Sequence, residues 1–120
     1  MNINVAKSRM ISLLKKYNLC QIGWRVIFTN NINFVATCWT DDKIIDMSVP
    51  MIKANDWIFI KKVFLHELCH IFYPPYWHFN VKTGKGKELV HHSEWKKGCR
   101  ELGGHDKSLL IPRRDGFNDF

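Results

Sequence analysis

From Asn55 to Phe72 the chain carries no glycine or proline and is dense in apolar residues, among them Trp57, Ile60, Val63, Phe64, Leu65, Leu68 and Ile71. Such a segment predicts a helix that is apolar nearly all round, and a helix of that kind is buried. Yet it holds His66, Glu67 and His70 in the spacing H-E-x-x-H. Residues four apart share a helix face, so the two imidazoles are offered to one point. Burying two histidines and a glutamate without partners is strongly unfavourable. A chance placement of two histidines on a buried face leaves that cost standing, whereas one metal ion removes it. Zinc takes nitrogen ligands at roughly 2.0–2.1 Å, and a catalytic zinc keeps one position open for water. The ion lowers the pKa of that water to about 7, and Glu67, beside the open position, can accept its proton as the water attacks a carbonyl.

The flanks of this helix predict a single α+β domain over residues 1–120, with three helices packed on a small antiparallel sheet and the H-E-x-x-H helix at the centre. Val5, Met10, Leu13, Leu14 and Tyr17 recur at helical spacing and predict a first helix over 4–18. Three short runs rich in β-branched and aromatic residues follow, over 24–28, 34–39 and 43–49. They are separated by Asn30-Asn31 and Asp41-Asp42 and closed by Pro50, which reads as an antiparallel meander. Asn55 or Asp56 caps the long helix, and Pro74-Pro75 end it by Tyr73. An aromatic loop, Tyr76-Trp77-His78-Phe79, and a basic glycine loop, Lys82 to Lys87, come next. Ser93 is a suitable N-cap for a last helix with the stripe Trp95, Cys99, Leu102, which Gly103-Gly104 stops. Beyond it the pattern fades into a loosely ordered tail over 105–120, in which Leu110 and Ile111 suggest a strand and Arg113 to Gly116 a turn.

Charge bears on partners more than on fold. Formal net charge is +7, from 18 Lys and Arg against 11 Asp and Glu, an excess that suits an anionic partner such as nucleic acid as well as mere solubility. Lys82, Lys85 and Lys87 of the glycine loop and Lys96, Lys97 and Arg100 of the last helix are the candidate DNA contacts. Cys20, Cys38, Cys69 and Cys99 are scattered without a C-x-x-C pair, which excludes a local zinc ribbon. With no signal peptide and no run near the ~20 apolar residues of a membrane span, the expectation is a soluble, monomeric, intracellular protein with reduced cysteines in its core.

Two histidines need a third ligand. The metzincin continuation fails, because Tyr73 and Tyr76 stand where its glycine and histidine belong. A glutamate on a later helix keeps Glu88 and Glu94 in play, and His91-His92 offers an imidazole just ahead of the last helix. The run His91-His92-Ser93-Glu94-Trp95 resembles the second histidine element, H-G-P-E-W or H-x-x-E-F, of the SprT-like metalloproteases, the group that includes Spartan-type enzymes. The order of elements is similar over residues 5 to about 104. Matched on Glu94-Trp95, the resemblance implies that His91 is the third zinc ligand and that His92 stands where glycine is common. It also implies a zincin-like fold, one Zn2+ ion held by His66, His70 and His91, Glu67 as general base, and an endopeptidase acting on proteins near or crosslinked to DNA. No paired cysteines follow Leu102, so the zinc ribbon of some members is not expected. Two rivals remain: a nucleic-acid-binding module with a structural zinc, closed by His92, Cys69 or His78, and a non-catalytic adaptor, which has no need of Glu67.

Overall fold

A computed structural model describes residues 1–106; the strand and turn expected around Leu110 and Arg113 fall outside the described residues. Helix α1 spans Ile3–Lys16, and the side chain of Asn2 caps it by accepting from the N–H groups of Asn4 and Val5. Its inner stripe is Ala6, Met10 and Leu14; Val5, expected inside, is 43% exposed. A short 3-10 turn ends at Gly23, whose φ of 96° is the left-handed geometry glycine tolerates. Strands β1 (Arg25–Thr29), β2 (Ala36–Trp39) and β3 (Ile44–Ser48) then form one sheet.

The sheet is not a meander. Its order is β1-β3-β2, with β1 and β3 parallel and β2 and β3 antiparallel. The turn-prone Asn31 does not close a hairpin. Its side chain accepts from the N–H groups of Asn33 and Phe34, and its carbonyl takes the hydroxyl of Ser48. The chain thus passes beyond the place β3 will fill, and β3 slots in between. Register stacks Val26, Ile45 and Cys38 in one row and Phe28, Met47 and Ala36 in the next. Ile45 and Met47 are fully buried. As an outer strand, β2 keeps one edge unpaired within the sheet.

A further helix, α2 (Val49–Ala54), follows β3 without a gap. Ser48 ends the strand and caps the helix, and Pro50 sits in the first turn, where no N–H is needed. The proline that reads as a strand stop also starts a helix, so there are four helices among the described residues instead of three. Helix α3 (Trp57–Phe72) begins at the Asp56 cap, its Oδ1 accepting from the Phe59 N–H at 3.0 Å. It is buried along Ile60, Val63, Phe64, Leu65, Leu68 and Cys69. The expected loops after it pair instead as a hairpin, β4 (Tyr76–Asn80) with β5 (Lys85–Leu89), nearly all exposed. Helix α4 (Ser93–Leu102) returns against α3. Apolar residues from α1, the sheet, α2 and α3 make the main core, and Cys69, Trp95 and Cys99 form a small second one between α3 and α4. The class is α+β, as the sequence implies.

Gly98 tests that second core. A Cβ there would overlap the Tyr73 ring. Alanine favours a helix over glycine by about 0.8–1.0 kcal/mol, but displacing a packed aromatic ring typically costs about 1–3 kcal/mol. Gly98→Ala should therefore lower the urea midpoint, by roughly 1 kcal/mol net; a raised midpoint would show that packing of α4 on α3 is loose.

Candidate metal centre

Helix α3 presents His66 and His70 one turn apart at its junction with α4, with His66 fully buried and His70 nearly so. A backbone carbonyl can only accept, so the contact of His66 Nδ1 with the His105 oxygen, 2.9 Å, places the proton on Nδ1. The lone pair of His66 Nε2 is then directed at His70, whose own Nε2 lies 3.3 Å away. Tetrahedral ligands at roughly 2.0–2.1 Å from one ion stand about 3.3–3.4 Å apart, which is the spacing seen. His91, in the turn between β5 and α4, completes the group. The ligand atoms of His66, His70 and His91 all lie within 4.8 Å of one another.

Trp95, fully buried in the first turn of α4, packs against all three rings. It stacks on His70 with 23° between planes and meets His66 and His91 edge-on, with centroids 4.6 and 4.5 Å away. Burial holds His66 down at about 3 and His70 at about 4, so both stay neutral, as metal ligation requires. Glu67 is 2% exposed, and its Oε1 has no hydrogen-bond partner among the described residues. Desolvation raises its pKa to about 8. An unpaired buried oxygen beside three converging imidazoles matches a cation site, and the donor set suits a metal that favours imidazole nitrogen, zinc included. Glu67, His70 and His91 line a cleft of about 290 Å³, faced by Phe34 and Cys38 from the β2 side and Val90 from the base of the hairpin. Burial pushes the Cys38 thiol up to about 12, which leaves it a neutral wall and not a nucleophile.

The other candidates stand elsewhere. His92 Nε2 meets the Pro74 carbonyl at 3.0 Å and its Nδ1 accepts from the Trp95 N–H at 3.2 Å, so the ring caps α4 and clasps the end of α3. Glu94 is exposed and lies 3.0 Å from that same Nδ1. Glu88 lines the cleft but is not in the histidine group. Lys82, Lys85 and Lys87 are exposed on the hairpin, and Lys96, Lys97 and Arg100 on the outer face of α4, with Arg100 paired to Asp106 at 3.0 Å. Among the described residues no helix is long and apolar enough to cross a membrane. Sequence reasoning missed the carbonyl of His105, the clasp at Pro74, and Trp95 as a platform for the rings. The one local trace was the second glycine of Gly103-Gly104, one more than a helix stop needs.

The profile of the SprT-like family matches residues 9–115 of the 120. The chain belongs to the SprT-like family. Among curated proteins, and among solved structures, nothing matches it significantly. The match takes in both histidine elements of the domain and the turn that follows α4.

The shifted histidines and Glu67 set a pH dependence for the metal-free SprT-like domain. Unfolded histidine titrates near 6.5 and glutamate near 4.5. Between those values the unfolded chain binds two more protons on His66 and His70, while the folded chain binds one more on Glu67. His105, which burial also holds below its ordinary value, adds to the unfolded side, so the net difference is at least one proton and stability rises with pH there by at least about 1.4 kcal/mol per unit. Between 6.5 and 8 the histidines become neutral in both states, Glu67 keeps the higher pKa in the folded chain, and stability falls toward pH 8. Urea midpoints of the metal-free protein should peak near pH 6.5, and Glu67→Gln should abolish the alkaline decline.

Proposed function

We propose that this chain is a zinc-dependent endopeptidase, with one zinc ion held by His66, His70 and His91 and with Glu67 as the general base. The observation that carries the reading is the convergence of three imidazoles, two of them held neutral by burial, beside the unpaired Oε1 of Glu67 in an open cleft. Bound there, zinc supplies Lewis acidity, lowering the pKa of water to about 7 and polarising a carbonyl oxygen. Glu67 does the proton work: Oε1 takes a proton from the attacking water and returns it to the departing amine nitrogen. A cation among the imidazoles favours the carboxylate form that a base requires, against the desolvation that otherwise raises it. The outer edge of β2 borders the cleft through Thr37 and Cys38 and suits an extended peptide added as a further strand.

A structural zinc needs a fourth protein ligand. His92 uses both ring nitrogens at Pro74 and Trp95, and the Cys69 thiol is engaged with Cys99. His78 sits on the exposed strand β4. This favours an open fourth position and hence catalysis. Zinc content by mass spectrometry, together with cleavage of casein, tests the proposal. Glu67→Gln should keep one zinc per chain and lose about 10²–10⁴ in rate, and His91→Ala should lose the zinc. Wild-type turnover by Glu67→Gln would overturn the assignment of the base.

The substrates we infer are proteins on or crosslinked to DNA. Support comes from the likeness to Spartan-type enzymes, the net charge of +7, and the exposed lysines of the hairpin beside Trp77 and Phe79, which are 67% and 55% exposed. Lysine contacts to phosphate release counterions, and exposed aromatic rings can stack on unpaired bases. Anisotropy of a labelled oligonucleotide should show binding with little sequence preference that weakens steeply with salt. Charge reversal at Lys82, Lys85 and Lys87 together should weaken it further; binding indifferent to salt would remove DNA from the reading.

A further inference from the structure

We infer that the return turn Gly103-Gly104-His105 is a positioning element for His66, setting its tautomer and aim through the His105 carbonyl. The inference rests on the metal-centre reading only for its purpose; the geometry stands by itself. After α4 the chain turns at Gly103, whose φ of 93° is left-handed. Gly104 then passes directly over the backbone of α3. A Cβ on Gly104 would lie 2.9 Å from the backbone nitrogen of His66, 3.0 Å from the carbonyl carbon of Leu65 and 2.9 Å from Cys99 Sγ. Helix backbone cannot yield as a flexible side chain can, so glycine is required there by close approach and not by φ.

That approach delivers the next residue. The His105 N–H donates to the Lys62 carbonyl at 3.3 Å, and the Gly104 N–H to the Cys99 carbonyl at 2.9 Å. So pinned, the His105 oxygen accepts from His66 Nδ1 at 2.9 Å and from the Cys99 thiol at 2.8 Å. In the opposite tautomer the Nδ1 lone pair of His66 would face the carbonyl lone pairs, and Nε2–H would point into the histidine group. The carbonyl thus selects the tautomer that presents Nε2 to the metal, as partners of metal-bound histidines commonly do. It comes from 39 residues away in sequence. An alanine at Gly104 lifts the turn off α3 and takes the carbonyl with it. At Gly103 a Cβ meets only Leu65 Cδ1, at 3.8 Å, so asparagine, which tolerates left-handed φ, serves there as a control.

Long-range nitrogen–proton NMR of the metal-free full chain, labelled at histidine, reads the tautomer directly. His66 should carry its proton on Nδ1 in the wild type and in Gly103→Asn, and lose that preference in Gly104→Ala. Zinc affinity from chelator competition should fall about 10–100-fold in Gly104→Ala and stay near wild type in Gly103→Asn. A wild-type His66 protonated on Nε2 overturns the inference, whether or not Gly104→Ala folds. So does a folded Gly104→Ala that keeps both the tautomer and the affinity. A wild type that binds no zinc ends the metal-centre reading, while the tautomer comparison still decides the role of the turn.

Discussion

Placing His66, Glu67 and His70 in the interior of helix α3 is the constraint around which the other parts of the molecule are built. Each is almost wholly removed from water, and an unpartnered polar group in such a place typically costs about 1–3 kcal/mol. The apolar face of the same helix anchors the core through Ile60, Phe64 and Leu68. The polar groups therefore cannot escape to solvent without unpacking the domain. They must be satisfied where they are, and the elements after α3 do that work.

α4 supplies most of it. Trp95 closes the rear of the three imidazoles as a rigid apolar wall, and the thiols of Cys69 and Cys99 meet beside it. Contact with Cys69, then burial, drives the Cys99 thiol well above its ordinary range, so it acts as a neutral donor toward the His105 oxygen. His92 fastens the start of α4 to Pro74 at the end of α3, closing the base of the β4–β5 hairpin. The hairpin between the two histidine elements can then be exposed and basic without loosening His91.

The sheet contributes from the other side. Ala36 and Cys38 of β2 line the cleft opposite Glu67, and the insertion of β3 leaves β2 as an edge beside the same cleft. A meander ordered β1-β2-β3 would have put β2 in the centre with both edges occupied. The crossing of Asn30 to Val35, held by Ser48 on the Asn31 carbonyl, is thus a condition of the cleft having an open strand at all.

What the sequence determined by itself is whatever a few neighbouring residues decide. The 3.6-residue period puts His66 and His70 on one face, Asn55-Asp56 and Pro74-Pro75 bound the helix, and Trp95, Cys99 and Leu102 mark the inner side of α4. The run His91 to Trp95 also carried the family, because motif spacing is a local property. Strand partners were not legible: short strands read the same whether they pair in order or by insertion, and the choice depends on contacts between β1 and β3, with β2 between them in sequence. Nor does an adjacent pair such as His91-His92 reveal which ring turns inward. Outside a helix or strand that direction is set by what each ring meets, here His66 and His70 for one and the Pro74 carbonyl for the other. The carbonyl that orients His66 is the extreme case. Every residue has one, so no pattern of side chains announces it, and only the close passage of Gly104 over α3 brings it into place.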